Sequence, residues 1–339
     1  MKKLLFSFFL LCLACGVQGQ TPQLDEAKRL FDIAWDTQDN DTRINNRKKV
    51  MELAPESPYG LYCKAWFQRQ NSDFQGSLAT SEALVVKYPD FWQGYWSRAI
   101  CIQRIAEFGY KIYSEFDYKK VVELNPKFAD AYLALGRLNI GLLSGGDPKW
   151  YFDKAIQLDP TLAEAYYLRG YCKFHYSITH TNIETGLTTT EEPDLKGAMK
   201  DLMKAIELDS TLSGAYLQRG ELKQELGDNR GALKDFDIAI KYTPDYSYAF
   251  YDRANLRYKM KDFRGALEDF DRFIALGKNF NHGDGLDGLL SSPMANAYFD
   301  RGKIKIENFN QKESGCQDLS KAGELGYMKA YELIKKYCQ

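Results

Sequence analysis

Small and apolar residues return at fixed offsets along most of the chain. The phrase RGALKDFDIAI begins at Arg230, and RGALEDFDRFI begins at Arg264, 34 residues later. Gly220 is followed by Ala232, Phe236, Ala239 and Pro244; Ala254 by Ala266, Phe270 and Phe273; Gly136 by Phe152, Ala155 and Pro160. Three- and four-residue steps put these side chains on one face of a helix, so the pattern predicts amphipathic helices. A small residue lets two helices approach closely, and the proline stops the second one. The expected building block is therefore a pair of helices copied along the chain.

This unit resembles the tetratricopeptide repeat, whose 34 residues place an aromatic at position 4, Gly or Ala at 8, Ala at 20, an aromatic at 24, Ala at 27 and Pro at 32. Units begin near Pro58, Trp92, Ala129, Ala163, Ser213, Ser247 and Ala295, with Arg169, Arg219, Arg253 and Arg301 just before the small residue. A degenerate unit covers residues 20–57, where Arg43, Arg47 and Val50 stand in place of Ala, aromatic and Ala. The resemblance implies an all-α fold, a right-handed α-solenoid of about eight antiparallel helix pairs, the degenerate pair followed by the array over 58–326. Residues 327–339 predict a C-terminal capping helix, with Tyr327, Ala330, Leu333 and Ile334 inward and Lys335 and Lys336 outward. Cys316 and Cys338 lie at similar distances from the turn at Gly326, so antiparallel helices bring them together, either as a disulfide or as two separate buried thiols. Cys63, Cys101 and Cys172 fall at packing positions.

Two insertions interrupt the copies. Near 176–195 there are 16 extra residues between two helices of a unit, and a second insertion lies near 280–293. The first is read as a recognition loop or a solvated decoration, the second as a flexible turn. His175 and His180 fit no metal-site spacing, and Asn281, Asp284 and Asp287 lack the regular acids of a calcium loop. No metal and no cofactor is expected.

Residues 1–19 have the build of a signal peptide, two lysines before an apolar run from Leu4 to about Cys15 and then small residues. Cleavage before Gln20 competes with a lipoprotein-like ending at Cys15, which would leave a lipid tether. The expected location is periplasmic or secreted, alternatively anchored in the envelope, with no transmembrane segment. With 45 basic and 46 acidic residues, no basic surface points to nucleic acid.

The chain carries no G-x-S-x-G, Walker-type or H-E-x-x-H motif and only three histidines. Asp235 and Asp237 recur as Asp269 and Asp271, a duplication that suits ion pairs with the repeated arginines better than catalysis. The resemblance implies instead a concave groove lined by first helices. Carried onto this chain it is formed by Tyr59, Tyr62, Trp66, Trp96, Tyr167, Tyr171, Tyr251, Tyr258 and Phe299, interrupted by Arg69, Arg104, Arg137, Glu221 and Lys259. Any one of these rings could equally be packing between helices. The lysine and asparagine clamp by which some members grip a peptide C-terminus is not recognisable. The expected function is a non-catalytic scaffold or adaptor of the cell envelope, binding a protein or peptide. A glycan or peptidoglycan module, a carboxylate-dependent enzyme and an accessory subunit are the alternatives.

Overall fold

The computed structural model describes residues 21–105, 111–140, 147–175, 178–181, 188–277 and 293–338. The leader-like residues 1–19 with Cys15, and the second insertion with Asn281, His282, Asp284 and Asp287, lie outside them. The chain divides into two compact units, Met1–Ala131 and Tyr132–Gln339.

In the first unit α1 (Pro22–Asp36) packs on α2 (Asn40–Leu53), α3 (Pro58–Gln70) on α4 (Phe74–Lys87), and α5 (Trp92–Ile105) on α6 (Lys111–Leu124). Its core gathers Ala27, Leu30, Phe31, Val50, Leu61, Tyr62, Cys63 and Leu84. A further helix, α7 (Ala129–Asn139), runs across the division into the second unit.

The second unit continues with α8 (Pro148–Leu158), α9 (Ala163–His175), α10 (Leu195–Leu208), α11 (Ser213–Glu225), α12 (Asn229–Tyr242), α13 (Ser247–Lys259), α14 (Phe263–Gly277), α15 (Pro293–Phe309), α16 (Lys312–Glu324) and α17 (Lys329–Tyr337). The pairs are α9 with α10, α11 with α12, α13 with α14, and α15 with α16, each packed on the next. This succession of helix pairs is the α-solenoid arrangement the repeat predicts. The first insertion is not purely loop. It carries a short antiparallel ribbon, β1 (Ile178–Thr181) and β2 (Thr188–Glu191), with Thr179 opposite Thr190. The Thr-rich text suits a strand because β-branched residues favour extended backbone.

The repeated letters have local causes. Phe152, Phe236 and Phe270 are fully buried. A Cβ on Gly136 or Gly220 would stand 2.5 Å from Phe152 or Phe236 respectively, so only glycine admits the ring there. Burying each ring stabilises by roughly 1.5–3 kcal/mol. The glycine in D-x-x-G has a different reason. Asp73, Asp194, Asp228 and Asp262 each accept the backbone N–H of the glycine three residues on, at 2.8–3.0 Å, capping the second helix.

The last helix covers the end of the second unit. Ala330 is buried, Tyr327, Leu333 and Ile334 are half-buried, and Lys335 and Lys336 are exposed. Cys316 and Cys338 are joined by a disulfide, with Cα atoms 5.8 Å apart. No described helix is long and apolar enough to cross a membrane.

Candidate functional site

The recurrent arginines belong to the framework. Arg219 donates from Nε and Nη2 to Asp235 at 2.8 and 2.7 Å, and Arg98 does the same to Asp117 at 2.8 and 2.6 Å. Arg169, Arg253 and Arg301 grip Asp201, Asp269 and Asp318 in the same two-point manner. Each of these three also reaches an exposed aspartate of the preceding pair, Asp153, Asp237 or Asp271, at 2.6–2.7 Å. The duplicated acids are therefore ties within and between pairs.

The predicted groove residues divide between the units: Tyr59, Tyr62, Trp66 and Trp96 in the first, Tyr167, Tyr171, Tyr251, Tyr258 and Phe299 in the second. Tyr62 is core, not groove. It is 3% exposed, and its ring stands edge-on to Phe31 at 5.4 Å, because Phe31 occupies the small-residue position of the degenerate pair and pulls the next ring inward. Tyr59 is half-buried against Phe31 and Phe91, and Trp96 against Tyr118 and Phe128. Trp66 is half-buried and carries the guanidinium of Arg47 over its ring at 4.2 Å. Arg69 donates through Nη1 to Ser97 Oγ and, at 3.3 Å, to Ser77 Oγ.

In the second unit a polar network crosses three first helices. His175 on α9 shares a 2.7 Å hydrogen bond between Nε2 and Oε1 of Gln218 on α11. Gln218 donates from Nε2 to Glu221 at 3.1 Å. Glu221 is hydrogen-bonded in turn to Asp252 on α13. Burial and the facing carboxylate raise Glu221 above the ordinary range, and burial raises Asp252, so the pair retains a proton between them. Burial lowers His175, which favours the neutral ring. Beside this network Tyr167 is hydrogen-bonded to Tyr246. Tyr171 is half-buried, its ring 4.4 Å from that of His175.

Towards the C-terminal end, Tyr251 hydrogen-bonds Asn255 and Asn296, and the ring of Phe299 lies tilted against that of Tyr327 at 4.6 Å. Tyr258 is hydrogen-bonded to Lys303. A cleft of about 520 Å³ opens here, lined by Tyr251, Asn296, Asp300, Tyr327, Met328 and Lys329. Burial pushes the Asp300 carboxyl up to about 6, against the opposing pull of Lys303.

Other chemistry is limited. Burial pushes the thiols of Cys63 and Cys172 up to about 12, which keeps them protonated and poorly nucleophilic. Among the described residues no group of three or more His, Cys, Asp or Glu is placed to hold a metal.

Comparison with known proteins agrees with the repeat. The family model described as Tetratricopeptide repeat matches residues 217–280. Over those residues the chain is similar to tetratricopeptide repeats, and the described helix pairs on either side continue the same arrangement. No curated protein matches the chain. Among solved structures, Pseudomonas aeruginosa pilF is 16% identical and has a TM-score of 0.55, over 72% of this chain and 97% of that one. The human IFIT1 dimer with m7Gppp-AAAA is 15% identical with a TM-score of 0.56, over 88% and 68% respectively. The APC/C hetero-tetramer Cut9-Hcn1 is 14% identical with a TM-score of 0.59, over 94% of this chain, which spans 55% of that one. At these identities the likeness is one of fold.

Asp252, Asp300, Gln218, Tyr246 and Asn296 were not legible as site residues. A half-buried acid inside a helix reads like a solvated one until the neighbouring pair is in place. Arg47 gave a clearer signal, as a charge at a position where the repeat has an aromatic.

Proposed function

We propose that this protein is a non-catalytic, exported scaffold or adaptor that binds a protein or peptide on the first-helix face of its second unit. The observation that carries the reading is the cleft lined by Tyr251, Asn296, Asp300 and Tyr327, which places rings, an amide and a carboxyl around a space of about 520 Å³. That volume lies within the usual range for a binding site and has room for a few partner side chains. Rings anchor such a segment through buried area, while the polar groups fix its register. The half-buried Tyr171 and the Glu221–Asp252 pair extend the same kind of surface along α9, α11 and α13. The leader-like N-terminus supports passage across a membrane, to the periplasm or outside the cell, with a lipid at Cys15 as the anchored variant.

The test is capture of a partner by the mature chain from the envelope of the producing cell, followed by binding measurements with that partner purified. Asn296→Ala with Asp300→Ala should reduce affinity about tenfold or more while circular dichroism reports unchanged helix. Equal binding by the folded double variant would refute the cleft as the site. N-terminal sequencing of the mature chain tests export, with Gln20 expected as the first residue, or a blocked Cys15 if lipid-anchored.

A further inference from the structure

Arg47 is an anomaly in a chain that otherwise answers its buried arginine–carboxylate positions carefully. It lies on α2 and is 5% exposed, and among the described residues its Nε and Nη1 have no hydrogen-bond partner. Leaving a buried charged donor unsatisfied is costly, more so than for a neutral group. The surroundings add no negative charge. The guanidinium sits 4.2 Å from the ring of Trp66 and 5.9 Å from that of Tyr62, and Arg69 approaches the same Tyr62 ring at 6.0 Å. Its charged neighbours include two more arginines, Arg43 and Arg69. Both are served by neutral oxygens, Arg43 by the carbonyl of Thr37 at 2.7 Å and Arg69 by Ser77 and Ser97. Burial holds the Arg47 guanidinium below its ordinary range, and the two other arginines add to the effect.

The repeat explains how the charge comes to lie there. Arg47 occupies the position held by Phe152, Phe236 and Phe270 in later pairs, and the following pair has Ser81 there. Without those rings the interior beside α3 and α5 is polar, with Ser77, Ser81 and Ser97 fully buried.

We propose that the first unit contains a carboxylate-binding site, in which Arg47, assisted by Arg69 and walled by Trp66, receives an acidic group from outside the chain. The chain's own practice supports a carboxylate: Arg98, Arg169, Arg219, Arg253 and Arg301 each meet one with two hydrogen bonds. A single negative charge fits better than a phosphate dianion, whose stronger hydration makes its burial beside this aromatic-flanked guanidinium more expensive. The source is an Asp or Glu side chain of a bound segment, which rests on the protein-binding reading above, or a free small carboxylate.

Thermal unfolding of the purified mature chain in sodium acetate and in sodium chloride at equal ionic strength tests the site. The wild type should melt several degrees higher in acetate. Arg47→Phe, which restores the ring of the later pairs, should fold and lose the difference. No acetate effect in the wild type, or an equal effect in both proteins, overturns the proposal. Should Arg47→Phe fail to fold, the Nε–H resonance of Arg47 in the wild type decides: it must move on titration with acetate and stay still with chloride, and identical behaviour with both overturns the proposal. A peptide with blocked ends and one internal Glu, compared with its Gln counterpart, distinguishes the source. Preference for Glu by about thirtyfold or more assigns the carboxylate to a bound segment. Acetate binding without that preference supports the site with a small-molecule ligand.

Discussion

Arg253 donates from Nε and Nη2 to the buried carboxylate of Asp269 at 2.9 and 2.6 Å. Its remaining Nη1 reaches the exposed Asp237, on the second helix of the preceding pair, at 2.6 Å. One guanidinium thus ties its own pair together and joins it to its neighbour. Asp269 is almost fully buried and Asp237 is not, so the two contacts should differ in worth. Asp269→Ala is expected to destabilise the second unit by about 3 kcal/mol, because it strands a half-buried cation. Asp237→Ala should cost under about 1 kcal/mol. Urea unfolding of the two variants checks the order, and equal losses would contradict this division of roles.

A second expectation concerns pH. Glu221 faces Asp252, His175 and Gln218, with Lys259 acting on Asp252 from the same helix. The folded pair holds its proton at a pH where the unfolded carboxyls have lost theirs. The folded state therefore binds more protons between the ordinary carboxylate range and the raised one, and this contribution to stability falls as pH rises through that window. Glu221→Gln keeps the neighbouring hydrogen bonds possible and removes the titration of Glu221, leaving that of Asp252. Its stability relative to the wild type should increase with pH, with a slope approaching about 1.4 kcal/mol per pH unit. Unfolding curves of both proteins from pH 5 to about pH 8 measure this, and a difference independent of pH would contradict it.

The disulfide between Cys316 and Cys338 closes a segment of 22 residues containing the α16–α17 turn. Closing a loop of that length is worth about 3 kcal/mol in the chain-entropy account. Reduction, or Cys316→Ser with Cys338→Ser, should speed hydrogen exchange in α17 first and leave α9 to α12 little changed. Uniform loss of protection across the second unit would show that the cap is not a separate element.

The helix pairs and the cap were legible because their causes are local and repeated: the Asp228 to Gly231 cap, the Gly220 to Phe236 contact, and proline after the second helix. The approach of Cys316 to Cys338 followed from their similar distances from Gly326, while spacing alone left a disulfide and two separate thiols open. Tyr62 shows where the reading stops. Its position within the unit marks a groove residue, but Phe31 in the neighbouring pair decides which way the ring packs. The ribbon at 178–181 and 188–191 was hidden in a stretch with no repeat to frame it, and the proton shared by Glu221 and Asp252 depends on two residues 31 apart in sequence, on different helices.

The central claim is that the first helices of the second unit face a partner and its second helices do not. A photo-crosslinking amino acid placed at Tyr171 or Phe299, on the first helices, and at Met203, more than half exposed on the second helix α10, tests it in the producing cell. The account predicts adducts with one and the same protein from Tyr171 and Phe299, and none from Met203. Adducts from Met203 alone, or none from the first-helix positions, would contradict it.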